Sequence, residues 1–171
     1  IVTGKPVELG GSFGREAATG RGVIFALTSW ARQAKIDIAG TTLAIQGFGN
    51  VGAWTARSAS ESKFTVVAVS DVKGGVYNPK GLDVESLVAH ASQYGTVAGF
   101  ENDDSIDNDE LLQLQVDILV PAAIGEVIHR NNAENVRAKI VVEAANHPVT
   151  PAADEILKSK GVPILPDILM N

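Results

Sequence analysis

Residues 43–56, LAIQGFGNVGAWTA, join a short apolar segment directly to three glycines with the spacing G-x-G-x-x-G. The glycines are Gly47, Gly49 and Gly52. At such a turn, the first glycine permits a tight exit from a strand, the second lets the main chain approach a pyrophosphate, and the third lets the following helix pack close to the strand. The spacing alone is weak evidence, because the chain has 17 glycines among 171 residues. The elements around the turn therefore have to support the interpretation.

Predicted strands and helices alternate along most of the chain. Residues 64–70, FTVVAVS, are almost continuously apolar and β-branched, which is typical of a strand covered on both faces. Thr150 precedes Pro151 and predicts the start of a helix. Such alternation indicates an α/β fold, a doubly wound Rossmann-like parallel sheet with helices on both faces. The predicted strands are 41–46, 64–70, 116–121, 138–144 and 162–169, and the predicted helices are 15–36, 50–63, 83–95, 125–136 and 150–161.

Two segments between these elements are predicted to be irregular. Residues 71–81, DVKGGVYNPKG, contain several turn-forming residues and predict a loop. Residues 101–110, ENDDSIDNDE, form an acidic run that predicts a solvated loop or the start of a helix.

Asp71 ends the second predicted strand, roughly 20 positions after Gly52, the separation expected for an acid that hydrogen-bonds an adenosine ribose. The alternative is a turn or N-cap residue at the start of the loop. A carboxylate here would repel the 2′-phosphate of NADP, whereas Lys73 would partly offset that repulsion. We therefore expect NAD as the cofactor, with NADP possible.

The composition excludes several classes of function. A net charge of −6 and a pI of about 5.0 offer no general attraction to nucleic acid or to an anionic membrane. The chain has no cysteine, which excludes disulfides, thiol catalysis and thiolate metal sites and fits a reducing compartment. We identify no metal ligands, no signal peptide and no apolar run near the ~18–20 residues of a membrane span. We expect a cytoplasmic protein without nucleic-acid or membrane partners.

Several segments resemble, in order, the C-terminal nucleotide-binding domain of the glutamate/leucine/phenylalanine/valine dehydrogenase family, and within it the glutamate-specific enzymes. The first, VTGKPVELGGSFGREAATGRGV, is highly specific. Others are GFGNVG, DILVPAAIGEVI and AKIVVEAANHPVTPAADEIL. The segments span 2–23, 47–52, 69–83, 117–128, 138–157 and 161–171, which is essentially the whole chain.

The resemblance implies an enzyme that oxidatively deaminates L-glutamate to 2-oxoglutarate and ammonia, with hydride transfer to NAD(P). It also implies a homo-oligomer, commonly a hexamer. Residues 1–171 would be a single dinucleotide-binding domain excised from a longer two-domain enzyme, and the absence of an initiator Met supports this expectation. In the family, the groups that move protons belong to the preceding domain. We therefore assign no catalytic residue here and expect the chain to be inactive alone.

The resemblance also assigns binding residues position by position. Arg15 would help to hold a substrate carboxylate, or would be a surface charge. Thr19 would touch the nicotinamide end of the cofactor, or would bond its own helix. Asn146 would line the nicotinamide, or would only form a turn before Pro148. The remaining cofactor contacts would be Gly47, Gly49, Asn50, Val51 and Gly52 near the pyrophosphate, Asp71 and Val72 at the ribose and adenine, and Ala122 and Ala123 at the nicotinamide.

Two residues depart from the family pattern. Ala144 and His147 stand where the family usually has glycines, so the family pattern alone does not fix the geometry of the loop beside Asn146. Two other functions stay open: a non-catalytic domain that senses a nucleotide, and a methyltransferase, which also uses a glycine-rich first turn and a later acid.

Overall fold

The computed structural model describes residues 5–100 and 104–170. Residues 2–4 of the first matching segment, residues 101–103 of the acidic run and Asn171 of the last segment lie outside them. Within the described part, the strands form one seven-stranded sheet in the order β4-β3-β2-β1-β5-β6-β7. The strands are β1 (Thr42–Gln46), β2 (Thr65–Asp71), β3 (Gly74–Tyr77), β4 (Asp104–Ile106), β5 (Ile118–Pro121), β6 (Ile140–Val142) and β7 (Ile164–Leu165).

Helices cover both faces of the sheet. The helices are α1 (Arg15–Gln33), α2 (Asn50–Glu61), α3 (Val84–Tyr94), α4 (Asn108–Leu112), α5 (Pro151–Ser159) and α6 (Asp167–Met170). In β1, Leu43 and Ile45 join the core under α1, α2 and α3, whereas Ala44 joins the core under α4 and α5. All three side chains are fully buried. This two-sided burial confirms the predicted α/β fold.

The sheet is parallel from β2 through β1 and β5 to β7. The chain runs from β1 to β2 on one side, whereas β5 lies on the other side of β1. The carboxyl ends of β1 and β5 are therefore the switch point of the topology, where open α/β sheets bind ligands.

The predicted loop at 71–81 is wrong in part, because it contains β3, which pairs antiparallel with β2. Asp71 pairs with Gly74, so Val72 and Lys73 are the two residues of a tight hairpin turn. The Asp71 Oδ1 atom accepts a hydrogen bond from the Lys73 N–H at 2.7 Å, as in an Asx-turn. Gly75 permits the close pairing, since a Cβ there would lie 2.8 Å from the Ser70 Cβ.

The predicted helix at 125–136 is also wrong; it is irregular apart from a 3₁₀ turn at Ala133–Asn135. The Asn132 side chain accepts from the His129 N–H and donates to the Val127 carbonyl, both at 2.8 Å. These bonds offer the backbone partners other than those of a helix. Ile128 instead forms a parallel bridge with Val149.

Two other segments are mixed. The strand predicted at 162–169 consists of β7 followed by α6. In the acidic run, β4 precedes α4, and Asp107 and Glu110 form a capping box at the start of that helix. The predicted helix start is therefore confirmed, and so is the Thr150 N-cap, whose side chain accepts from the Ala153 N–H.

Candidate functional site at the carboxyl ends of the strands

The first and third glycines of the turn after β1 are required by the protein's own packing. Gly47 has a φ of +100°, and a Cβ there would lie 2.7 Å from the Ala123 Cβ. A Cβ on Gly52 would lie 1.8 Å from the Gly47 carbonyl oxygen. Helix α2 therefore packs against the turn at a distance that no other residue allows.

The second glycine has a different environment. Gly49 is the N-cap of α2, with a φ of −76°, and makes no side-chain cap. A Cβ there would meet no atom within 4 Å. Neither backbone conformation nor packing requires glycine at this position. The open space in front of Gly49 is suited to a ligand that lies directly against the main chain. The unpaired N–H groups and the dipole of α2 favour an anion there.

Helix α1 is locked against the start of α2. Gly20 is buried, and a Cβ there would lie 2.6 Å from both the Thr55 backbone nitrogen and the Trp54 Cβ. The Asn50 Nδ2 group donates a hydrogen bond to the Glu16 carbonyl at 2.7 Å. Asn50 thus holds the two helices together, and this contact sets the position of the residues on α1.

A cavity of about 480 Å³ brings several predicted residues together at the carboxyl ends of β5 and β6. The two strand-end loops are tied to each other, because the N–H groups of Ala144 and Ala145 donate to the Pro121 carbonyl at 3.1 and 2.9 Å. The predicted lining residues are Thr19, Val51, Ala122, Ala123 and Asn146. The cavity is also lined by Ile124, Gly125, Ala144 and Ala145, which sequence reasoning missed although they belong to the motifs VPAAIG and EAAN.

The loop beside Asn146 keeps a glycine-type conformation despite the departure from the family pattern. His147 has a φ of +49°, in the left-handed region. Its N–H donates to Asp167 Oδ2 at 2.8 Å, and its carbonyl accepts from the Glu126 N–H at 2.9 Å. A non-glycine residue in this region costs on the order of 1 kcal/mol or more, so these bonds hold a strained residue. Ala144 is accommodated as a buried core residue.

Asp71 lies beside the glycine turn, because the Gly47 N–H donates to the Ser70 carbonyl at 2.8 Å. Its carboxylate is held from both sides: Oδ1 accepts from Lys73, and Oδ2 accepts from the Val97 N–H at 2.7 Å. The predicted alternative, a turn former, therefore describes part of its role. Each carboxylate oxygen keeps a second acceptor position, which leaves room for a hydrogen bond from a ribose hydroxyl.

Val72 and Asn108 are the other two residues beside Asp71 at this end of the site. Val72 is 97% exposed, an unusual fraction for valine, and so leaves an apolar surface open beside Asp71. The Asn108 Nδ2 group donates to the Asp71 carbonyl at 2.8 Å, and the Asn108 Oδ1 atom accepts from the Ser70 hydroxyl at 2.8 Å. The sequence analysis did not predict Asn108 as a site residue. Its only signal in the sequence is that it directly follows Asp107, the N-cap of α4.

Arg15 is not part of the cavity that contains Thr19. It begins α1, is exposed, and lines a separate depression with Asn50 and Trp54. Arg15 and Thr19 are one helical turn apart, so their side chains leave the same face of α1. The substrate role of Arg15 stays a prediction.

The described residues contain neither a cluster of metal-binding side chains nor a helix that could span a membrane. No three or more histidine, aspartate or glutamate side chains among them are grouped so that they could hold a metal ion. None of the helices in this part of the chain is both long and apolar enough to cross a membrane.

Comparison of the sequence with a family profile and with a known protein points to the same family of dehydrogenases. The sequence profile of the Glutamate/Leucine/Phenylalanine/Valine dehydrogenase family matches residues 10–171. A glutamate dehydrogenase of Thermotoga maritima is 54% identical over 172 residues, covering 100% of this chain and 41% of that protein. The chain therefore spans about two fifths of the length of this relative.

Solved structures agree with the sequence comparison. The hetero-hexameric glutamate dehydrogenase of Thermus thermophilus, in a leucine-bound form, is 36% identical with a TM-score of 0.91, over 99% of this chain and 40% of that one. The glutamate dehydrogenase of Peptoniphilus asaccharolyticus is 35% identical with a TM-score of 0.79, over 99% and 39%.

Proposed function

Because the chain belongs to the Glutamate/Leucine/Phenylalanine/Valine dehydrogenase family, we propose that it is the dinucleotide-binding domain of an amino-acid dehydrogenase. Residues 1–171 form one such domain of a longer protein. The intact enzyme interconverts L-glutamate with 2-oxoglutarate and ammonia, and uses NAD(P). The 54% identity to the Thermotoga maritima glutamate dehydrogenase supports glutamate as the substrate.

The observation that carries the proposal is the open space at Gly49. Gly47 and Gly52 are explained by packing, whereas a Cβ on Gly49 would meet no atom of the chain within 4 Å. A glycine that the fold does not need, at the start of a helix and at the switch point of the sheet, fits a main chain that lies against a pyrophosphate.

Different residues around the switch point bind different parts of the cofactor. Asp71 accepts hydrogen bonds from the adenosine ribose, and exposed Val72 offers its apolar surface to the adenine. The nicotinamide supplies the hydride acceptor or donor when it is bound, and the protein orients it. Main-chain groups of Gly49, Asn50 and Val51 hold the pyrophosphate, while Thr19, Ala122, Ala123 and Asn146 surround the nicotinamide end.

Substrate binding and proton transfer need parts of the protein beyond this domain. Arg15 extends from the same helical face as Thr19, and its planar guanidinium suits a substrate carboxylate. We assign no general acid or base among residues 1–171. The intact protein assembles as a hexamer, as the name of the Thermus thermophilus relative describes for that enzyme.

Calorimetric titration of the purified chain with NAD and NADP tests the proposal. We expect saturable binding of both, tighter for NAD, and no binding of S-adenosylmethionine. Binding of the methyl donor, or of neither dinucleotide by a folded chain, would contradict it.

A further inference from the structure

Glu143 is a buried carboxyl group directly after β6, and the proposed function leaves it without a role. Its side chain is 7% exposed. Burial raises the pKa of this carboxyl; the Asp167 N–H opposes the rise, and the Asp167 carboxylate adds to it. The Val149 N–H and His147 lower the pKa of Glu143 to a smaller degree. Burying an ionisable group is costly, so its hydrogen bonds matter for where it lies.

The side chain of Glu143 connects β6 to the first residue of α6. The Glu143 Oε2 atom accepts a hydrogen bond from the Asp167 N–H at 3.0 Å. The Glu143 N–H donates to the Leu165 carbonyl, also at 3.0 Å, so the backbone joins β7 as well. Asp167 is therefore held in place by Glu143.

Asp167 in turn holds the loop that contains Asn146. Its Oδ2 atom accepts from the His147 N–H at 2.8 Å, and its Oδ1 atom accepts from the Ile168 N–H at 2.7 Å. His147 is the residue at a φ of +49°, next to Asn146 on the wall of the cavity. A strained backbone persists only where its surroundings determine it, and a hydrogen bond to a carboxylate is stronger than a neutral one.

We propose that Glu143 and Asp167 are positioning residues: Glu143 fixes Asp167, and Asp167 fixes the backbone at His147, so that Asn146 is held against the nicotinamide end of the cofactor. This inference rests on the proposed function. Neither residue touches the cofactor; both act through the loop.

The test compares NAD with ADP-ribose, which has the adenine, riboses and pyrophosphate but lacks the nicotinamide. In Glu143→Ala and Asp167→Ala, we expect NAD affinity to fall about five- to tenfold, the effect of losing one hydrogen bond. ADP-ribose affinity should change by less than about twofold, because Gly49 and Asp71 are untouched.

Conservative variants separate positioning from a general loss of folding. Glu143→Gln keeps an oxygen that accepts the Asp167 N–H, so NAD affinity should return to within about twofold of the original. Asp167→Asn keeps one oxygen for the two N–H groups of His147 and Ile168, so NAD affinity should recover only in part. Asp117→Asn is the matched control at the opposite end of the sheet, where Asp117 accepts from the Thr42 N–H at 2.8 Å and pairs with Lys139 at 2.7 Å. It should lower the melting temperature and leave both affinities unchanged.

Equal loss of NAD and ADP-ribose binding in folded Glu143→Ala, or an unchanged ratio of the two affinities in both alanine variants, would overturn this inference alone. Absence of NAD binding by the unaltered chain would overturn the proposed function, and the inference with it. Circular dichroism of every variant is the check that it is folded.

Discussion

At the scale of single residues, Gly49 and Gly52 belong to the same turn, but different physical constraints favour glycine at each. Gly52 faces the Gly47 carbonyl at a distance that excludes any Cβ, whereas Gly49 faces open space. A substitution at Gly52 therefore acts on folding. A substitution at Gly49 is expected to change the binding of a ligand at the turn.

We expect Gly49→Val to lose NAD affinity by on the order of tenfold or more, because a branched side chain would fill the space that the pyrophosphate needs. The melting temperature should change little, since a Cβ there meets no atom within 4 Å. Calorimetry and thermal unfolding measure the two effects. Gly52→Val is the contrasting variant and should fail to fold stably. Full NAD affinity in Gly49→Val would show that the glycine is not a contact.

The choice between NAD and NADP depends on Asp71 and Lys73. We expect a roughly tenfold preference for NAD, since a like-charge contact in a half-exposed site is worth about 1–2 kcal/mol. Asp71→Ser should reduce or invert the ratio of the two affinities, and Lys73→Ala should increase it. Asp71 also supports the hairpin through Lys73 and Val97, so the ratio is the proper measure and not either affinity alone. Equal or tighter binding of NADP by the unaltered chain would contradict the expectation.

At the scale of elements, the contact between α1 and α2 decides where Thr19 lies. Gly20 is a point of close approach between the two helices, whereas a Cβ on Gly22, two residues later in α1, would meet no atom within 4 Å. The two glycines are therefore a matched pair for testing helix packing against helix propensity.

We expect Gly20→Val to lower the free energy of unfolding by about 1–3 kcal/mol, because the added side chain would overlap the backbone of α2. NAD affinity should fall as well, since α1 would move with Thr19. Gly22→Val should leave stability unchanged or slightly higher, because valine has the better helix propensity. Denaturant unfolding of both variants checks this. A similar cost at both positions would contradict the assignment of the effect to the contact between Gly20 and α2.

At the scale of the whole molecule, binding and turnover are separable. The chain spans 41% of the length of its Thermotoga maritima relative, and we assign no proton-transfer group to it. Purified chain that binds NAD by calorimetry should show no glutamate-dependent formation of reduced cofactor, because general acid–base groups are needed for the reaction. Steady turnover by the same preparation would contradict this prediction.

The sequence by itself determined the features that depend on neighbouring residues. The glycine turn, the doubly buried strand β2 and the Thr150 cap each follow from a few adjacent side chains whose conformational preferences are strong. Much of the order of strands and helices followed from these features, apart from β3, β4, α6 and the segment 125–136. The family resemblance pointed to the loops after β1, β2, β5 and β6.

Only the tertiary structure decided which partners the backbone takes in ambiguous segments and which distant residues come together. Local turn signals at 71–81 do not reveal that β3 pairs back on β2. The apolar pattern at 125–136 is overridden by the amide of Asn132 and by the bridge to Val149. Likewise, nothing local links Thr19 to Asn146, or Glu143 to Asp167; they meet because packing at Gly20 and the order β5-β6-β7 bring them together. Thr19 and Asn146, like Glu143 and Asp167, lie on different elements, so no short window of sequence contains either pair.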